Sequence, residues 1–186
     1  ISVLLLISLI TGQTTSFAVT QPGEYTPPTK INPDTPIVST RGHTKEGIIS
    51  DPKLTDTKNI TGYDTFGTIP GFNDKTGVNN IVIYVHGWNN NEKQAIENFN
   101  TVKNSLRENG YGVPVIGYSW DSDTGKLWND WDDATKIAKL NGPKLAQFIL
   151  DYHNRSPNTK IHIIGHSLGS QVILNSIQSL HDDSAG

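Results

Sequence analysis

The sequence contains no cysteine, which excludes a disulfide framework, thiol catalysis and any cysteine-based metal site. It has little charge of either sign in excess. The net charge is -3 and charged residues make up 18% of 186, so nothing in the electrostatics points to nucleic acid. There is no methionine, and the first residue is Ile1, from which an incomplete N-terminus is expected. Long apolar runs are scarce as well. ISVLLLISLI at residues 1–10 falls short of the roughly 20 residues a membrane-spanning helix needs. TGQTTSFA follows, with Ser16 and Ala18 at the -3 and -1 positions of a cleavage site. That is the template of a partial secretory signal over 1–18, cut after Ala18, and it sets the expectation of a secreted or cell-surface protein. A buried strand or short helix is the plainer alternative.

What is present becomes ordered along the chain. Residues 19–42 carry prolines and threonines with few apolar residues, and read as a linker or surface strap. Residues 43–80 are mixed, with GIIS and NITGYDTFGTI as candidate short strands between turn-rich pieces. From residue 81 the pattern is clear. IVIYV (81–85) is a continuous β-branched run, the mark of a strand buried on both faces. Ala95, Ile96, Phe99, Val102 and Leu106 recur at helical spacing over 92–108, with Asn90 or Asn91 as cap and Gly110 as stop. VPVIGYSW (113–120) is a second strand, 127–153 a helix in two pieces broken near Gly142-Pro143, and KIHIIG (160–165) a third strand. A closing helix follows. Alternating strands and helices predict an α/β fold, a parallel sheet covered by helices on both faces. In such sheets ligands bind beyond the carboxyl ends of the strands.

That edge holds GHSLG, residues 165–169, between a strand and a helix. Gly-x-Ser-x-Gly is weak by itself, but in this context it describes a sharp turn that pushes a hydroxyl outward. Gly165 and Gly169 relieve crowding at the turn, and the following helix aims free N–H groups at the serine. Ser167 is the candidate nucleophile; a helix-capping serine is the plainer reading. His86-Gly87-Trp88 ends the strand at 81–85, where the N–H of Trp88 can join that of Leu168 as a two-donor oxyanion hole. His86 orients that loop in this reading, and His166 shapes the turn. Trp120 and Asp121 are candidate pocket residues at the same edge. Trp88, Trp120, Trp128 and Trp131 gather near it, either as an apolar pocket for an acyl chain in contact with lipid or as ordinary packing.

VHGWNN, YSWDSD, NGPKLAQFI and IIGHSLGSQVIL together resemble the first half of an α/β-hydrolase, similar to secreted, archaeal-type, lipase-like members. The resemblance covers about residues 40–183, with strong motifs at 81–90 and 161–174. It implies that the strands at 81–85, 113–119 and 161–165 are the third, fourth and fifth of the family's eight. It also implies Ser167 as nucleophile and Trp88 and Leu168 as backbone donors.

The family order places an acid and then a histidine after the serine. His181 is 14 residues past Ser167 on the same helix, about 21 Å away, and cannot reach it. His43, His153 and His162 fit the role no better. The residues 43–186 are therefore expected to be the N-terminal portion of a hydrolase domain, inactive alone, whose acid and base lie downstream. The function expected of the whole is ester hydrolysis through an acyl-enzyme, on a small-molecule or lipid ester, with no metal or organic cofactor implied. Acyl transfer or amide hydrolysis would use the same machinery, and a non-catalytic binding module on this scaffold is the rival from another class. Asn59 and Asn154 match the glycosylation pattern.

Overall fold

A computed structural model describes residues 36–42, 62–124 and 128–184. The run at 1–10, the cleavage site at Ala18, GIIS, His43 and Asn59 lie outside the described residues. The elements are β1 (Ile37–Ser39), β2 (Asp64–Phe66), β3 (Asn80–Val85), α1 (Glu92–Glu108), β4 (Val115–Ser119), α2 (Trp128–Arg155), β5 (Lys160–Gly165) and α3 (Gly169–Ser184). They form one sheet in the order β2-β1-β4-β3-β5, parallel except for the antiparallel β1–β2 pair.

The period-two alternation of strands sorts the core. Ile81, Ile83 and Val85 of β3 face a cluster with Ile116, Tyr118, Ile161, Ile163, Leu145, Phe148 and Val172, on the α2 and α3 side. Val82 and Tyr84 face Ala95 and Phe99 of α1 on the other side. Helices thus cover both faces, as the sequence pattern predicts. β3 runs through α1 to β4 on one flank, and β4 returns through α2 to β5 on the other. The ends of β3 and β5 flank the point where the winding reverses, the place such sheets use for ligands.

Two expectations differ from the structure. The end of the supposed linker, 19–42, is strand β1, inserted between β2 and β4, with Ile37 and Val38 buried. Three residues amid prolines and threonines are too few to show a strand period, yet Val38 and Ile37 each enter one of the two clusters. Helix α2 runs unbroken through Gly142 and Pro143. The ring removes one backbone bond, but Leu145, Ala146, Phe148 and Ile149 continue the buried face. Gly142 lets α3 approach, since a Cβ there would stand 2.4 Å from Cβ of Asn175. Helix α1 is as expected: Asn91 and Gln94 form a reciprocal capping box, and Gly110 takes a positive φ of 84° past the end.

Gly117 sits in the middle of β4 under Phe99, whose ring would lie 2.2 Å from an added Cβ. Gly117→Ala should therefore destabilise the fold by about 1–3 kcal/mol in urea unfolding. Adding Phe99→Leu, which trims the ring, should recover part of that loss; additive losses would show that the contact is not the cause.

Candidate active site

Strand β5 passes into α3 through a turn at Ser167, which holds φ +51° and is exposed. A side chain with a Cβ enters this left-handed region only when its surroundings enforce it. Here the enforcement is visible. His166 N–H donates to the Val85 carbonyl at 3.0 Å, and Gly169 N–H donates to that of His166 at 2.9 Å. A Cβ on Gly169 would come within 2.5 Å of the carbonyl oxygens of Val85 and His86, and one on Gly165 within 2.6 Å of Ile173. The two glycines are the spaces into which the turn folds.

The loop after β3 lies against this turn. A Cβ on Gly87 would stand 3.0 Å from Ser167 Cβ and 2.9 Å from His166 Nδ1. His86 is fully buried, its ring stacked on Trp120 at 5.7 Å and 11°. Trp120 N–H donates to His86 Nε2 at 3.1 Å. The imidazole proton therefore sits on Nδ1 and goes to the Gly87 carbonyl, 2.9 Å away. Burial, then the charge of Arg41, pushes the His86 pKa well below 6.5. Asn90 adds its amide to the Gly87 and Trp88 carbonyls at 3.1 and 2.9 Å.

These bonds aim two peptide units. The N–H of a trans peptide points opposite to its carbonyl. With the Gly87 carbonyl turned to His86 and Asn90, the Trp88 N–H points away from them. With the Ser167 carbonyl taken by Ser170 N–H at 3.0 Å, the Leu168 N–H points back past the start of α3. Among the described residues neither N–H has a protein acceptor.

Comparison with known proteins bears on the fold that carries these loops. Residues 71–185, more than half of the chain, match the family described as "Alpha/beta hydrolase of unknown function (DUF900)". The chain belongs to this family of α/β-hydrolases. It is also similar to an uncharacterized protein, alr1448, of Nostoc sp., with 26% identity over 131 residues that cover 59% of this chain and 34% of that protein. The chain thus spans about a third of the length of this relative. No solved structure matches it.

In this α/β-hydrolase the predicted site residues are brought together at the ends of β3 and β5: His86, Gly87 and Trp88 on one loop, Gly165 to Gly169 on the other. Trp120 and Asp121, expected as pocket residues, are instead packed beneath the loops. Trp120 is fully buried, with its indole N–H on the His86 carbonyl at 2.9 Å. Asp121 is 2% exposed, and both of its oxygens accept the Gly42 N–H, at 3.0 and 3.1 Å. Apolar strand residues precede both and draw them inward. His153 lies in the last turn of α2, His162 faces Asn80 Oδ1 from within β5, and His181 is exposed near the end of α3. Ser167 Oγ bonds to none of the described histidines. Among the described residues no group of acids and histidines is arranged to hold a metal.

Sequence reasoning missed Arg41, and it gave Asn90 only a capping role. Arg41 is 4% exposed and reaches Ser119, Asp123, His86 and Asn90. A lone arginine after the short β-branched run Ile37-Val38 was the available signal. Ser122, fully buried, bonds Asn90 through its hydroxyl.

The left-handed backbone at Ser167 implies a stability cost. Ser167→Gly should be more stable than Ser167→Ala by about 1 kcal/mol in denaturant unfolding, because only glycine escapes the strain. Equal stabilities would show a relaxed turn. His86 gives a pH signature. Its folded pKa is depressed, so its contribution is present above pH 6.5 and is lost as pH falls below it. Unfolding free energy should decline there by up to about 1.4 kcal/mol per pH unit from this group, while its ring nitrogens stay in the neutral pattern by NMR.

Proposed function

We propose that this α/β-hydrolase is a serine hydrolase of carboxylic esters, lipase or esterase in type. The observation that carries the reading is Ser167: an exposed hydroxyl on a strained turn between strand and helix, flanked by two backbone N–H groups with no protein acceptor among the described residues. In the proposed reaction Ser167 Oγ attacks the ester carbonyl and loses its proton to a histidine. The tetrahedral oxyanion is held by Trp88 N–H and Leu168 N–H at the positive end of α3. Collapse expels the alcohol, which takes the proton back from the histidine, and leaves an acyl-enzyme. Water, activated by the same histidine, then attacks that acyl group and frees the acid. The histidine and its orienting acid come from outside the described residues.

Trp131, in the first turn of α2, is 44% exposed and meets Trp88 edge to face at 5.2 Å and 86°. The Trp88 indole N–H is fixed on Thr124 Oγ1 at 2.9 Å. Trp88 is half-buried and follows Gly87, whose backbone lies against the Ser167 turn, so the exposed face of Trp131 beside it offers an apolar surface that suits an acyl or alkyl group and favours lipid-like esters over small polar ones. The signal-like N-terminal run adds a secreted or cell-surface setting to the proposal.

The test is covalent labelling of the full-length protein with a fluorescent fluorophosphonate, followed by hydrolysis of p-nitrophenyl esters of rising chain length. Wild type should label, Ser167→Ala should not, and kcat should fall by ~10⁴-fold or more in the variant. A folded wild type that neither labels nor turns over any ester would overturn the reading and leave a binding module on a hydrolase scaffold.

A further inference from the structure

The machinery just described uses backbone groups, and backbone groups go where the chain puts them. What holds the loop after β3 at its angle is a buried cation. Arg41 follows β1, and its guanidinium is shared among four neighbours in three segments. Nε donates to Ser119 Oγ at the end of β4, at 2.7 Å. Nη1 pairs with Asp123 in the loop after β4, at 3.0 Å. Nη2 donates to the Asn90 carbonyl at 2.8 Å and lies 3.3 Å from His86 Nε2. A planar fork with donors in fixed directions can brace three segments in this way, and an ammonium cannot.

Both contacts of Nη2 lead to the same atom. The cation beside Nε2 opposes a second proton on His86, and Trp120 N–H already occupies that nitrogen from the other strand end. The remaining ring proton is thereby assigned to Nδ1 and to the Gly87 carbonyl. Asn90, held by its own carbonyl on Arg41, turns its amide to that same Gly87 carbonyl. Asn98 fixes the other end of the Asn90 amide, at 2.8 Å. The direction of the Gly87 carbonyl sets the direction of the Trp88 N–H, because they belong to one planar peptide.

We propose that Arg41 is a positioning residue of the site, which aims the Trp88 N–H at the oxyanion by bracing His86 and Asn90 against the Gly87 carbonyl. The proposal rests on the reading of Ser167 as nucleophile. It assigns a chemical task to the short strand β1, which delivers the guanidinium to the carboxyl edge of the sheet. Gly42 turns back immediately afterwards, at φ +73°, with its N–H on Asp121, so that Arg41 stays at that edge.

The experiment compares wild type, Arg41→Gln, Arg41→Lys and Ser167→Ala as full-length proteins, with active sites counted by fluorophosphonate titration. The readouts are kcat and KM on a p-nitrophenyl ester, and the inhibition constant of a trifluoromethyl ketone, which forms an anionic tetrahedral adduct. In Arg41→Gln, kcat per titrated site should fall by roughly 10- to 100-fold with KM within about threefold, and ketone affinity should weaken by a similar factor. Arg41→Lys, which keeps charge without the fork, should fall between. A purely structural arginine would lower the number of titrated sites and leave kcat per site and ketone affinity unchanged, and that result overturns the proposal. If Arg41→Gln does not fold, Asp123→Asn on the more exposed side of the brace carries the test. A several-fold loss of kcat and ketone affinity together is expected, and no loss of either overturns it. Failure of wild type to label, with Ser167→Ala indistinguishable from it, sinks the nucleophile reading and this proposal with it. Labelling that depends on Ser167 alone, with Arg41 variants unchanged, sinks only the latter.

Discussion

Strands β3 and β5 end together: Val85 pairs with Gly165, and the residue that follows β5, His166, donates its N–H to the Val85 carbonyl at 3.0 Å. This rung constrains both loops that leave it. The chain after β5 must reverse within its first residues to start α3, and it does so through the positive φ of Ser167. The chain after β3 must pass over the reversal, and it has room only because Gly87 and Gly169 lack side chains. The exposed hydroxyl follows from that crowding, and so does the close approach of the two loops.

Beneath the loops the structure accepts a costly arrangement, a guanidinium and an imidazole buried side by side. Burying charge is unfavourable unless hydrogen bonds are complete. Arg41 meets this condition with Ser119, Asp123 and Asn90, and His86 meets it by remaining neutral between Trp120 and Gly87. Replacing such a cluster with apolar residues can preserve or raise stability, so its presence calls for a reason other than stability. In the proposed reaction, orientation of the Gly87–Trp88 peptide supplies that reason.

Much of this was legible in the sequence, and the boundary of legibility has a physical cause. β3, β5 and α1 were readable because burial on both faces gives a strand an unbroken β-branched run, and burial on one face gives a helix its spacing. The turn at Ser167 was readable because its two glycines form a short local pattern between a strand and a helix, even though the space Gly169 leaves is taken by the carbonyls of Val85 and His86, far earlier in the chain. β1 was invisible: three residues cannot show a period, and its burial comes from β4, more than 70 residues further on. The continuity of α2 through Pro143 was misjudged because packing against α3, a tertiary effect, outweighs the local defect. Arg41 escaped for the same reason, since each partner of its guanidinium is distant in sequence. Trp120 and Asp121 were placed at the correct edge but at the wrong depth, because position along a strand does not report which loop will cover it.

The central claim is that the Trp88 and Leu168 N–H groups converge on the oxyanion of an intermediate at Ser167. The most direct measurement is a crystal structure of the full-length protein after reaction with an alkyl phosphonate. The account predicts a bond from Ser167 Oγ to phosphorus, with the phosphonyl oxygen about 2.7–3.1 Å from both nitrogens. An adduct whose oxygen turns to solvent or to a side chain, with the Trp88 N–H directed elsewhere, would contradict it.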